Sequence, residues 1–205
     1  MPIASQIISS AIQGQFALNK LTGRDIATIA GVIGSSVSKY LMMPNMVTCS
    51  LNGTAGPLGN INSVVVSGLV PTALSGLMYG KASLIKLTGR DIKKIFDAIS
   101  AGLCQSLMGM VLSGTAAGIA VGGGVGSFTA LSDQALSKLM YGMMLSKKLK
   151  GRDASKLCDS ISFGLVNHLK TSVKFTTVVT GVIAPVPPAG PVAVIGIPSV
   201  FTKIS

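Results

Sequence analysis

The chain has 205 residues, with 17 Lys and Arg against 6 acidic residues, every one of them Asp. Charged residues make up 11% of the sequence, against about 25% in an ordinary soluble domain, and the mean hydropathy is +0.64. So few charges cannot cover the surface of a typical monomer, and we predict that other protein subunits or a bilayer cover much of the exterior.

A short motif divides the chain into three repeats. The residues KLTGRD at 20–25 recur unchanged at 86–91 and return as KLKGRD at 148–153. Between 74–91 and 136–153, 11 of 18 positions are identical without a gap. Self-similarity at this spacing is typical of repeated structural units. We therefore predict repeat 1 at 1–70, repeat 2 at 71–132 and repeat 3 at 133–205.

Each repeat begins with a predicted αα-hairpin, over about 5–42, 71–108 and 133–170. Apolar residues recur at helical spacing, as at Leu74, Leu77 and Met78. The Gly of each motif is predicted to take the left-handed conformation just past the first helix. The Asp that follows, Asp25, Asp91 or Asp153, is predicted to be the N-cap of the second helix, its carboxylate accepting from the first free backbone amides.

A Gly- and Val-rich segment without charge follows each hairpin, over about 47–69, 111–128 and 175–201. Its glycine content disfavours a helix, and we predict one extended β-ribbon per repeat. The predicted fold class is α+β: three internal repeats, each an αα-hairpin followed by a β-ribbon, which can close as a pseudo-threefold ring. We expect the uncharged ribbons to add strands to the sheet edges of neighbouring subunits.

The turns between paired helices are predicted to be basic tips that contact an anionic partner. An arginine fork suits a carboxylate or phosphate, and a net charge of +11 favours such a partner. The candidate contact residues are Arg24, Arg90, Lys93, Lys94, Lys147, Lys148, Lys150 and Arg152. The alternative interpretation of each motif is a capped turn with a solvated face. Predicted partners are other protein subunits of a large assembly, with nonspecific phosphate or DNA contact at the tips as a second interpretation.

No arrangement of residues predicts a catalytic, cofactor or metal site. His168 is the single histidine and Glu is absent, so the usual metal-ligand sets cannot be assembled. The glycine-rich run 122–127 lacks the Gly-Lys-Ser/Thr ending of a phosphate loop. Cys49, Cys104 and Cys158 are odd in number and far apart, which favours reduced, buried thiols over disulfides. We therefore predict a protein that is not an enzyme.

Three stretches carry no charge, 40–80, 98–132 and 175–202, and each exceeds the roughly 20 residues that span a bilayer. Prolines interrupt the first and third stretches and glycines the second, so membrane insertion is disfavoured. The N-terminus lacks a basic region ahead of an apolar core, and no signal peptide is predicted.

The low-charge, Glu-free ribbons joined to short helices resemble minor virion proteins of tailed bacteriophages, in the tail, baseplate or neck. The resemblance covers the whole chain as a style of sequence. It implies a non-enzymatic structural or assembly protein of a large symmetric complex, made in the host cytoplasm and located in the virion. Two other classes remain open: a membrane-active basic protein of pore-forming or holin type, and a nonspecific DNA-binding protein.

Overall fold

The computed structural model describes the backbone over 5–43, 48–55, 60–87, 89–108, 111–117, 121–127, 130–172, 174–180 and 192–204. Side chains are described over 5–43, 68–87, 89–108 and 130–171. The helices are α1 (Ser5–Leu18), α2 (Ile26–Met42), α3 (Pro71–Leu84), α4 (Ile92–Leu107), α5 (Asp133–Ser146) and α6 (Ala154–Ser172). The strands are β1 (Thr48–Ala55), β2 (Asn60–Ser67), β3 (Val111–Ala117), β4 (Val121–Ser127), β5 (Lys174–Thr180) and β6 (Val192–Ile204).

The first helix of each pair buries one narrow stripe. Its apolar residues stand at i, i+4 and i+8, the spacing that places side chains on one helix face. The stripes are Ile8, Ile12 and Phe16 in α1, Leu74, Met78 and Ala82 in α3, and Leu136, Met140 and Met144 in α5. Each is fully or almost fully buried, so the three helices use equivalent residues to join one hydrophobic core.

The second helix of each pair lies deeper. Helix α2 buries nine residues where α1 buries three, and α4 buries eight where α3 buries four. Small residues such as Ser36, Ser100 and Ser162 are among the buried positions. Their short side chains let the inner helices approach closely.

The six helices form a closed ring. Each packs against the helices before and after it in the chain, and α6 packs back against α1. At that closing junction the amide of Asn19 donates to the Ser160 hydroxyl at 2.8 Å, across 141 residues of sequence. The turns within the hairpins therefore lie together at one end of the ring, and the strands continue from the other end.

The predicted α+β class, with its three extended ribbons, is wrong. Where side chains are described, 77% of the residues are helical and none is strand, so the packed structure is all-helical with six helices. Backbone after each hairpin forms an antiparallel strand pair, not one extended ribbon, and the strands pair in chain order with β6 returning to β1. Each strand of this described backbone pairs with a strand on either side. Addition of strands to neighbouring subunits stays a prediction. The ribbon residues 47, 56–59, 118–120, 128 and 181–191 lie outside the described part.

Candidate functional site: a basic depression between three turns

The first helix of each pair ends in the same backbone motif, with a lysine at its centre. Lys20, Lys86 and Lys148 have φ angles of 55°, 56° and 59°. In the first repeat the amide of Leu21 donates to the Phe16 carbonyl at 2.9 Å, and that of Lys20 donates to Ala17 at 3.1 Å. This pair of bonds is the Schellman motif, and the other two turns repeat it.

The prediction that the motif glycine is the left-handed residue is therefore wrong. The helix has already turned left-handed at the lysine, three positions earlier in the sequence. Gly23, Gly89 and Gly151 instead accept a hydrogen bond from the first residue of the second helix, at 3.2–3.4 Å. A left-handed conformation costs a non-glycine residue about 1–2 kcal/mol, so the chain retains a lysine where glycine would be less strained.

The aspartates precede the second helices, as predicted, but their carboxylates are used differently. Asp25 and Asp91 occupy the N-cap position, and neither side chain makes a capping hydrogen bond, so that predicted bond is wrong for both. Asp153 directly precedes α6 and pairs with Lys156 at 3.4 Å. Asp91 pairs with Lys94 at 2.8 Å; the hydrogen bond from Lys94 lowers the pKa of Asp91. Asp91 and Asp153 thus pair with a lysine in the first turn of the following helix, and Asp25 approaches Arg24 at 3.4 Å.

The three turns surround a depression of about 560 Å³ at the end of the ring. Its floor is apolar and receives side chains from every repeat. These are Leu21, Ile26, Ile95, Met144, Leu149 and Leu157. Ile26 begins α2, and Ile95 and Leu157 lie in the first turns of α4 and α6. The amino ends of the three inner helices therefore converge here, and each carries a partial positive charge.

The rim of the depression is basic. Arg90, Lys148, Lys150 and Arg152 line it, together with Asp91 and Asp153. The arginine side chains are 93% exposed even though each approaches its neighbouring aspartate. Lys148 and Lys150 form no ion pair with the described residues. Since Lys94 and Lys156 already neutralise the aspartates, the rim presents unbalanced positive charge to solvent.

The structure thus brings together four of the eight predicted contact residues, and the others lie elsewhere. Arg24 is as exposed as its two counterparts but does not line the depression. Lys93 bonds to Asp97 at 3.0 Å, and Lys94 bonds to Asp91. Lys147 reaches Asp97 at 3.8 Å from the adjacent α5 hairpin. Lys93 and Lys94 thus pair within their own hairpin, and Lys147 links its hairpin to the preceding one, so none of the three contributes to the rim.

Sequence analysis missed two polar pairs, each between a buried serine and a more exposed aspartate, that join the helices within a hairpin. Ser75 donates to Asp97, and Ser137 donates to Asp159 at 2.5 Å. Burial alone would raise the pKa of Asp97, but hydrogen bonds from Ser75 and Lys93 outweigh it and the pKa is lowered. In each pair the Asp follows the Ser by 22 residues, and the second pair follows the first by 62 residues. That repeated register is the signal that could have found them.

The remaining reactive groups form no second site in the described structure. Burial raises the pKa of Cys104 to about 11 and that of Cys158 to about 12. His168 is 3% exposed, neither ring nitrogen has a hydrogen-bond partner among the described residues, and burial lowers its pKa. No cluster of three potential metal ligands occurs in the described chain.

Comparisons of the chain with protein-family models, with curated proteins and with solved structures find no match. None of the described helices combines the length and apolar content that a bilayer crossing requires.

Proposed function

We propose that this chain is a non-enzymatic structural protein that joins a large symmetric assembly through the basic end of its helical ring. The setting we propose is the tail, baseplate or neck of a bacteriophage virion. The observation that carries the proposal is the convergence of three equivalent turns around one basic depression. A single chain with this pseudo-threefold arrangement suits a position on or near a symmetry axis.

The charge distribution supports the same proposal. The segments 20–25, 86–94 and 147–156 hold 11 of the 17 basic residues but only three of the six aspartates. Strain is retained at Lys20, Lys86 and Lys148, and strained backbone that persists is often associated with function. An anionic surface on a neighbouring subunit would be attracted to this end of the ring and oriented by it.

The test is incorporation of the tagged chain into the assembly in which it naturally occurs, followed by native mass spectrometry. One variant carries Gln at Arg90, Lys148, Lys150 and Arg152, and is expected to remain folded but to be lost from the assembly. The matched control carries Gln at Lys39, Lys81, Lys138 and Lys170, which removes equal charge away from the depression. A wild-type chain found only as a free monomer, or equal loss of both variants, contradicts the proposal.

A further inference from the structure

The floor of the depression is an apolar surface that the fold itself leaves partly uncovered. The residues Leu21, Ile26, Ile95, Leu149 and Leu157 are only partly buried, and they pack from beneath against the hydrophobic core. Side chains from all three repeats thus share one concave surface of about 560 Å³. A concavity of this size falls within the range typical of sites that hold a small ligand or a few side chains.

The basic rim requires that a complementary ligand also carry negative charge. Arg90 and Arg152 project exposed guanidinium groups, and Lys148 and Lys150 add ammonium groups without acidic partners among the described residues. The amino ends of α2, α4 and α6 add partial positive charge from below. A complementary ligand therefore carries several carboxylates or phosphates around an apolar centre.

Nucleic acid and a lipid surface match only part of this site. Duplex DNA would bind the rim through its phosphates, but the apolar group that it presents, the thymine methyl, lies within the major groove and would not reach a concave floor. A bilayer receives apolar residues that project from a protein surface, whereas these side chains line a depression. An extended peptide satisfies both requirements, since its acidic side chains reach the rim while one apolar side chain enters the floor.

We propose that the depression binds an acidic peptide segment of a partner protein, with one large aliphatic side chain anchored between the three turns. This inference rests on the proposed function and deepens it, because it names the chemistry by which the neighbouring subunit is recognised. The carboxylates pair with Arg90, Lys150 and Arg152, and the aliphatic anchor covers Leu21, Ile95 and Leu149. An apolar anchor in a central pocket, surrounded by a polar rim, is a common arrangement in protein interfaces.

The binding experiment uses the full chain and a fluorescein-labelled peptide of Asp and Glu residues around a single Leu. We expect saturable binding that weakens about tenfold when the Leu is changed to Ser, since the anchor loses its buried apolar surface. A photo-reactive leucine at the anchor should cross-link to Leu21, Ile95 or Leu149. Labelled duplex DNA and vesicles of phosphatidylserine and phosphatidylcholine serve as competing probes.

Two exposed arginines provide a matched pair of variants. Arg24 and Arg152 belong to equivalent motifs, are both 93% exposed and both approach an adjacent aspartate, but only Arg152 lines the depression. R152A should weaken peptide binding about fivefold and R24A less than twofold, because a contact to charge is lost only in the first. Neither exposed side chain is needed for folding, which circular dichroism of both variants checks.

Equal affinity for the Leu and Ser peptides, equal effects of R152A and R24A, or tighter binding of DNA or vesicles would overturn this inference. So would cross-links that map outside the three turns. The proposed function fails separately, through loss of the chain or of its charge dependence from the natural assembly. If the charge variant is excluded from the assembly while the peptide does not bind, the assembly role stands and the acidic-peptide inference is wrong.

Discussion

The helix junctions of the ring contain glycine where a side chain would clash, whereas the basic turns contain lysine where the backbone conformation favours glycine. At two junctions between repeats, Gly102 lies against Met140 and Gly164 against Ile12, and an added Cβ would fall within 2.6–2.8 Å of those side chains. At the turns, Lys20, Lys86 and Lys148 hold φ angles that favour glycine. The junctions exclude a side chain that would clash, whereas the turns retain one despite strain.

Close helix packing explains the glycines at the junctions, but it does not explain the lysines at the turns. Gly102 and Gly164 are equivalent positions 62 residues apart, and both allow an inner helix to approach the next repeat. The third junction, between α2 and α3, carries Ser36 at the equivalent position. It is supported instead by Tyr40, whose hydroxyl accepts from the Val70 amide at 2.6 Å. The lysines of the turns form no ion pair with the described residues.

The largest effect is expected at the junction that closes the ring. Gly164→Ala should lower the free energy of unfolding, because its Cβ would lie 2.6 Å from Ile12 Cγ1 and 2.9 Å from the Ile12 backbone nitrogen. Overpacking of this kind costs about 1–3 kcal/mol, more than helix propensity returns. Gly142→Ala is the control, since nothing lies within 4 Å of its added Cβ, and it should raise stability by about 0.5–1 kcal/mol. Urea denaturation that gives both changes the same sign contradicts the packing described for this junction.

A smaller effect of opposite sign is expected at the third junction. Ser36 is fully buried, and its hydroxyl has no hydrogen-bond partner within the described structure. Ser36→Ala removes this unsatisfied group and should raise the free energy of unfolding by about 1 kcal/mol. Ser35→Ala is the comparison, because Ser35 donates to the Gly31 carbonyl at 2.6 Å. A destabilised Ser36→Ala variant would show that this hydroxyl is satisfied in solution.

The turns provide a prediction with two separate measurements. Lys148→Gly should raise the free energy of unfolding by about 0.5–1 kcal/mol, because relief of the left-handed conformation exceeds the added entropy of the unfolded chain. The same variant should weaken binding of the acidic peptide, since Lys148 lines the depression. Lys20→Gly should stabilise similarly but leave peptide binding unchanged. If both variants bind as the wild type does, the strain at Lys148 does not serve this site.

The smallest effect is expected in the pH dependence of stability. The folded state lowers the pKa of Asp97 below its unfolded value of about 3.9. Its stabilising contribution is therefore present above about pH 4 and is lost as the pH falls through the folded pKa. Asp97→Asn should be less stable than the wild type at pH 7, with a difference that shrinks at pH 3. A difference that is constant between these pH values, measured by denaturant unfolding, would contradict the proposed role of the charge.

The helices were predictable from sequence and closure into a ring was anticipated, but the packing at the junctions of the ring was not predictable. Residues such as Leu74, Leu77 and Met78 follow the helical period, and the repeated motif places the turns, so the three hairpins lie where they were predicted. Periodicity, however, says nothing about which helix packs against which. The role of Gly102 and Gly164 appears only when their partner helices are known, because a glycine within a helix has no sequence signal for close approach.

The positive charge of the site was predictable from sequence, but its concave apolar floor was not. The basic character of the turns follows directly from residues such as Arg90 and Arg152. The apolar floor does not, because Leu21, Ile95 and Leu149 belong to three distant segments that look like ordinary core positions. The left-handed conformation was predicted at the motif glycines rather than at the lysines three residues earlier, since propensity alone places glycine in that conformation. Only the hydrogen bonds of the Schellman motif locate it correctly.

Closure of the ring within one chain is the central claim, and a cross-link between α1 and α6 tests it most directly. Asn19 and Ser160 touch at 2.8 Å, so Asn19→Cys with Ser160→Cys, in a Cys49→Ser background, should join through a short thiol-reactive linker. Cys104 and Cys158 are buried with raised pKa values of about 11 and about 12 and should stay unreactive. We expect an intramolecular cross-link in dilute monomer, identified by mass spectrometry of the linked peptides. A link that forms only between two chains, or none at all, would contradict closure within one chain.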